Sequence, residues 1–148
     1  MTSNKRNFEY RVLAAFSVVI LWGIPGCGGS AGLKTHAVNG QVQIAGGDVK
    51  DLAGHSLEAA LGTDLAVRAY GQIQEDGSFE LETLQAGVLH SGAVEGAYRV
   101  RVVLSDDDPE ARRRAAQALH PRFLQFDSSG LSIQVPNNDP VTVVLSRQ

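Results

Sequence analysis

The chain is 148 residues long, 43% hydrophobic and 20% charged, with a formal net charge of −3. That length bounds it to about one domain, and the balance is that of an ordinary globular chain. A single cysteine excludes an internal disulfide framework. The slight acidic excess gives no sign of the basic face that nucleic-acid binders carry.

The first segment is not part of the expected fold. Lys5, Arg6 and Arg11 make a positive start, diluted by Glu9. Residues 12–22 then read VLAAFSVVILW, with Ser17 the one polar side chain. A charged start and an apolar run of this length are the layout of a secretory signal peptide. Even extended to Ile24 the run has 13 residues, short of the roughly 20 that cross a bilayer as a helix. A buried core helix is the plain alternative.

The run ends in IPGC, residues 24–27. An apolar residue, a small one and then cysteine resemble the lipobox of bacterial lipoproteins. In that family a diacylglyceryl group is attached to the cysteine sulfur and the chain is cut before it. Pro25 stands where the family more often has a small or β-branched residue. The resemblance implies a leader over residues 1–26 and lipid on Cys27; a cleaved signal with an incidental cysteine is the alternative. Multiple acyl chains hold a protein on a membrane where one is marginal. GGSAGLK, residues 28–34, reads as a flexible tether, so residues 27–35 join lipid to a domain over residues 36–148. The cut would remove Lys5, Arg6, Arg11 and Glu9, so 13 basic and 16 acidic residues become 10 and 15, a net charge of −5. It would also remove Trp22, the only tryptophan.

The remainder alternates. Val38, Val42 and Ile44 oppose Asn39, Gln41 and Gln43. Leu65, Val67, Ala69 and Ile73 oppose Arg68, Tyr70, Gln72 and Gln74. Glu75, Asp76 and Gly77 then signal a turn, and Phe79 and Leu81 alternate with Glu80 and Glu82, which reads as a hairpin. Residues 97–104 set Tyr98, Val100, Val102 and Leu104 against Arg99 and Arg101. Leu131, Ile133 and Val135 alternate with Ser132 and Gln134, and Val141, Val143 and Leu145 follow a turn over residues 136–140. This period of two predicts an all-β, antiparallel β-sandwich of about seven strands. Its expected core is Val42, Ile44, Val67, Phe79, Leu81, Tyr98, Val100, Val102, Ile133, Val143 and Leu145. Residues 57–61 form a weaker strand candidate, since their alanines suit a helical turn nearly as well. The stretch DDDPEARRRAAQALHP, residues 106–121, breaks the pattern. Asp108 suits a helix N-cap, Pro109 the first helical position and Glu110 the first turn. One short inserted helix is expected over residues 109–119, ended by Pro121.

Three segments recur in a known order: VNGQVQIAG (38–46), IQEDGSFELET (73–83) and EGAYRVRVVL (95–104). They are similar to the V-x-G-x-V, D-G-x-F-x-L and E-G-x-Y-x-V-x-V pattern of the carboxypeptidase regulatory-like, transthyretin-like β-sandwich domain. A set of small bacterial lipoproteins, common in planctomycetes, carries this single domain behind a lipobox. It also has a polar insertion followed by P-x-[FY] and [ST]-S-G-L, here residues 121–123 and 128–131. The resemblance covers most of residues 36–146; GGDVKDLAGHSLEAAL, residues 46–61, is longer than the family's usual turn. The resemblance implies a transthyretin-like sandwich that serves as an accessory module and carries no catalysis. Its motif residues here are Gly40, Asp76, Gly77, Phe79, Gly96 and Tyr98. Physical reasons exist for several of them. Gly77 supplies a positive φ, Phe79 and Tyr98 fill inward faces, and Gly40 marks a bulge or a close backbone approach.

Chemistry is scarce. His36, His55, His90 and His120 lack a partner at a ligand spacing such as H-E-x-x-H and read as exposed loop or edge residues. Asp106, Asp107 and Asp108 lack the D-x-D-x-D-G spacing that fans carboxylates around calcium. Arg112, Arg113 and Arg114 point over a wide arc of a helix, with Glu110 at pairing distance from Arg113 and Arg114. There is no G-x-S-x-G elbow, and neither Gly28-Gly29 nor Gly46-Gly47 opens a helix as a phosphate loop does. The expectation is therefore no catalytic residue, no metal, no cofactor and no nucleic acid. The expected protein is a non-catalytic envelope lipoprotein, held on the membrane through Cys27 and acting as a structural or protein-interaction module toward an envelope protein or glycan. The alternative is a ligand-binding, saccharide-type module using Tyr70 on an outward face. Gly28, where aspartate would favour the inner membrane, points by analogy to the outer membrane facing the periplasm.

Overall fold

The structure, a computed structural model, describes residues 33–147. It is an all-β sandwich with one inserted helix of more than a single turn. The larger sheet has six strands in the order β10-β9-β3-β4-β6-β7: Leu131–Val135, Gly96–Val103, Ser56–Leu61, Asp64–Gln72, Glu82–Gln85 and Val88–Ser91. The smaller sheet has the order β11-β2-β5: Val141–Ser146, Asn39–Ala45 and Ser78–Glu80. A short pair, β1 (Thr35–His36) with β8 (Ala93–Val94), completes the strands.

Alternation drives this arrangement. Val42, Ile44, Phe79, Leu81, Tyr98, Val100, Val102, Ile133, Val143 and Leu145 are all buried in one core, with Val67 half-buried against it. Leu57, Ala59 and Leu61 of β3 join them, with Leu119 and Phe123 from the insertion. Each fully buried Val, Leu or Phe side chain contributes about 1.5–3 kcal/mol relative to exposure.

The expected sandwich differs in three particulars. The described residues form eleven strands, because short strands and the β6–β7 hairpin lie where no alternation is visible. Pairing is antiparallel except that β11 runs parallel to β2, from Val141↔Gly40 to Ser146↔Ala45. The turn at residues 75–77 closes as expected, with Gly77 N donating to Gln74 O at 2.9 Å, but β5 then leaves β4. It pairs with β2 at Gly40↔Phe79 and Gln41↔Ser78, and the chain rejoins β4 only as β6. Leu81 is the crossover, its N–H bonded to Val38 O at 2.9 Å.

The inserted helix α1 spans Pro109–Ala118, with Leu119 as its C-cap. Asp108 Oδ1 accepts from Glu110 N at 2.9 Å and Ala111 N at 3.1 Å. A single turn of 3₁₀ helix, Pro121–Leu124, and a single α-turn, α2 (Phe126–Ser129), follow before β10. A further 3₁₀ turn, Val49–Leu52, joins β2 to β3.

Candidate functional site

The motif residues form the internal frame of the sandwich. At Gly40 a Cβ would collide with Val141 O and the Phe79 ring, so the glycine lets two neighbours close on β2. Gly77 sits at φ +86°, and Val42 N donates to its carbonyl at 2.8 Å. Asp76 Oδ1 accepts from Ser78 Oγ at 2.6 Å and Ser78 N at 2.9 Å. Those bonds hold its carboxyl below the ordinary range. Gly96, at φ +147°, leaves room for Leu61. Tyr98 is buried, its hydroxyl donates to Val94 O at 3.0 Å, and burial raises its phenol. None of these six presents a reactive group to solvent in concert with another. Cys27 lies outside the described residues.

The densest polar constellation is one that alternation does not reveal. Glu58, 2% exposed, sits mid-strand on β3 and faces outward between Arg101 of β9 and Tyr70 of β4, its register partners on either side. Arg68 Nη1 donates to Glu58 Oε1. Arg101 reaches Oε2 with Nε at 2.6 Å and Nη2 at 2.5 Å. Tyr70 OH donates to Oε1 at 3.4 Å. Phe126 lies under both cations, its ring centroid 4.8 Å from Arg101 Cζ and 5.7 Å from Arg68 Cζ, within cation–π range. Burial alone would raise the Glu58 carboxyl; hydrogen bonds and charge from Arg68 and Arg101 outweigh it and hold it low. Ser129 Oγ donates to Val100 O at 2.6 Å and Arg99 Nη1 meets Asp127 at 2.7 Å, which pin α2 over the cluster. Both Glu58 oxygens are thus committed, and the cluster ties β3, β4, β9 and α2 together. One sequence signal could have found it: a lone acid within LEAAL, in a chain whose flanking strands carry arginines. A buried charge needs a partner.

The histidines depart from expectation. His55 is 2% exposed. Its Nδ1 accepts from Ser105 N at 3.0 Å and its Nε2 faces Ala111 O at 3.4 Å, so it bridges the start of β3 to the insertion. His36 and His90 are half-buried, and His36 Nε2 is buried without a hydrogen-bond partner. Only His120 is exposed, its Nδ1 accepting from Arg122 N at 3.2 Å. Burial comes here from elements distant in sequence, which a local reading of AGHS cannot contain. Among the described residues no three His, Cys, Asp or Glu side chains gather closely enough to hold a metal ion.

Asp106, Asp107, Asp108, Arg112 and Arg113 of the insertion are each engaged locally. Asp106 pairs with Arg112 at 2.8 Å and Asp107 accepts from Ser105 Oγ at 2.7 Å. Asp108 caps α1, and Glu110 pairs with Arg113 at 3.3 Å. Two open grooves flank β2. One, of about 870 Å³, is lined by Gln41, Gln43, Gly47, Asp48, Asp76 and Arg147. The other, of about 630 Å³, is lined by Gln41, Gln72, Gln74, Ser78, Glu80 and Glu82.

No protein family, curated protein or solved structure matches the chain.

Proposed function

We propose that the chain is a non-catalytic lipoprotein of the bacterial cell envelope, attached to the membrane through lipid on Cys27 and presenting its β-sandwich as an interaction module. The observation that carries the reading is positional. The only cysteine follows a basic start and an apolar run too short to span, within apolar–x–Gly–Cys. Among the described residues the first strand opens at Thr35, so lipid on Cys27 leaves every described strand untouched. With Gly28 after the cysteine, the outer membrane facing the periplasm is the favoured address. The test of the module is crosslinking in living cells and identification of what is captured. An envelope protein or glycan on the sandwich supports the reading, and turnover of a captured small molecule contradicts it.

A second reading, saccharide binding, is favoured by Tyr70. It is 41% exposed and lies opposite Glu82, next to the amide- and carboxylate-lined groove. A glycan array separates the two: binding that Tyr70→Ala abolishes supports the second reading.

A further inference from the structure

Three of the six large hydrophobic side chains exposed among the described residues lie on the β6–β7 hairpin. Leu84 and Leu89 stand opposite each other and are 54% and 62% exposed; Val88 is 56% exposed. Pairing of Ala69 with Thr83 carries the start of β4 alongside the tip, where Leu65 is 46% exposed. Residues 83–94 contain no Asp, Glu, Lys or Arg. Asp64, the nearest acid on β4, is turned back onto Ala66 N at 3.0 Å.

The turn itself has an unusual occupant. Ala86 and Gly87 have φ values of +50° and +81°, the two positive angles of a type I′ turn, where asparagine before glycine is the favoured choice. A non-glycine residue in this region carries a steric cost, because its Cβ crowds the following carbonyl oxygen. Asparagine would lessen that cost and alanine does not, so the tip keeps an apolar surface at the expense of its turn.

The first described strand, β1, lies beside this hairpin. Thr35 Oγ1 donates to Ser91 O at 2.7 Å, and His36 O packs so closely on Gly92 that no Cβ fits there. Thr35 and His36 therefore lie against the Ser91–Gly92 end of β7. Seven residues lie between Cys27 and Thr35, and the eight steps from one to the other span at most about 29 Å. Val88 is three residues from Ser91, about 10 Å along a strand. A bilayer holding lipid on Cys27 is within reach of the tip.

We infer that the β6–β7 tip, through Leu84, Val88 and Leu89, seats in the interfacial region of the bilayer that carries the anchor and orients the sandwich on that surface. This rests on the lipoprotein reading above. The contact is apolar: with no cation in the hairpin, added salt leaves it unchanged, whereas attraction to anionic headgroups would be screened.

The test uses the full chain expressed with its leader in a bacterial host, its N-terminal peptide read by mass spectrometry. The lipidated protein is reconstituted into phosphatidylethanolamine–phosphatidylglycerol vesicles doped with brominated lipid. Cleavage before Cys27 removes Trp22, so Val88→Trp carries a single reporter. Val144→Trp, at a site 55% exposed on the smaller sheet, is the control. Val88→Trp is expected to be quenched at least about two-fold more than the control, because an interfacial apolar element sits about 5–10 Å into the headgroup boundary. The quenching should persist at high salt and vanish when Leu84→Ser and Leu89→Ser are added, two exposed sites that leave the core intact. Equal quenching at the two positions on a lipidated chain overturns the inference and leaves the anchor standing. A blue-shifted, unquenched Val88→Trp signal that depends on protein concentration also overturns it, assigning the tip to a second copy. An unmodified Cys27 overturns both readings.

Discussion

Glu58 keeps its charge inside a sheet because two guanidiniums meet it there, and the consequence is a pH-dependent stability. Its carboxyl ionises more readily in the folded chain than in the unfolded one. Its contribution is therefore complete above the usual carboxylate range and is lost as pH falls through the lower folded value. Glu58→Gln should cost about 1–2 kcal/mol at neutral pH. That is less than the loss of a fully buried pair, because Arg68 and Arg101 are 38% and 32% exposed and stay hydrated. The gap between wild type and variant in urea-unfolding free energy should narrow as the pH is taken down through the acid range. A gap that stays constant on acidification would mean that the carboxylate charge contributes nothing. Gly40 presents the opposite case, a residue that matters for lacking a side chain. Gly40→Ala would drive a methyl into Val141 O and the Phe79 ring. A loss of about 3 kcal/mol is expected, at the upper end of overpacking penalties, read as a lower urea midpoint. An unchanged midpoint would show that β2 and β11 can separate at no cost.

Among the elements, α1 depends on its first turn. Ala115 and Ala118 are its buried residues, so it has little apolar surface to hold it and leans on the Asp108 cap and on His55. Asp108→Ala should cost about 1 kcal/mol locally and speed amide exchange over residues 109–118 by roughly five-fold, while β9 is unaffected. Equal acceleration in β9 would mean that the insertion and the sheet open as one unit. The cap and the helix were legible in the sequence because every signal is local: Asp108, Pro109 and Glu110 in order, and the spacing of Ala111, Ala115 and Leu119. The strands with one wet face were legible for the same reason. β3 was legible only as a weaker candidate over residues 57–61, since Leu57, Ala59 and Leu61 face the core while Glu58 and Ala60 are covered on the other side, and a strand buried on both faces shows no alternation. The β6–β7 hairpin was missed for the converse reason, its leucines facing outward. The placement of β5 beside β2 is set by the crossover at Leu81, and the Glu58 cluster joins Glu58 to Arg101, 43 positions away, and brings in Phe126 from beyond the insertion. A window of ten residues shows nothing of the first and, of the second, only the lone acid Glu58 within LEAAL.

For the whole molecule, the described domain is a sandwich whose internal polar groups are largely spent on one another, and its most distinctive sequence feature lies ahead of it. Cys27→Ser should block lipid attachment and cleavage together, leaving a longer precursor that stays on membranes through its leader; fractionation therefore does not decide the question. The deciding measurement is mass spectrometry of the N-terminal peptide from the membrane fraction. The expected result is a chain that begins at Cys27 with a diacylglyceryl group on sulfur. A free Cys27 thiol in the mature protein, or a first residue other than Cys27, would contradict the account.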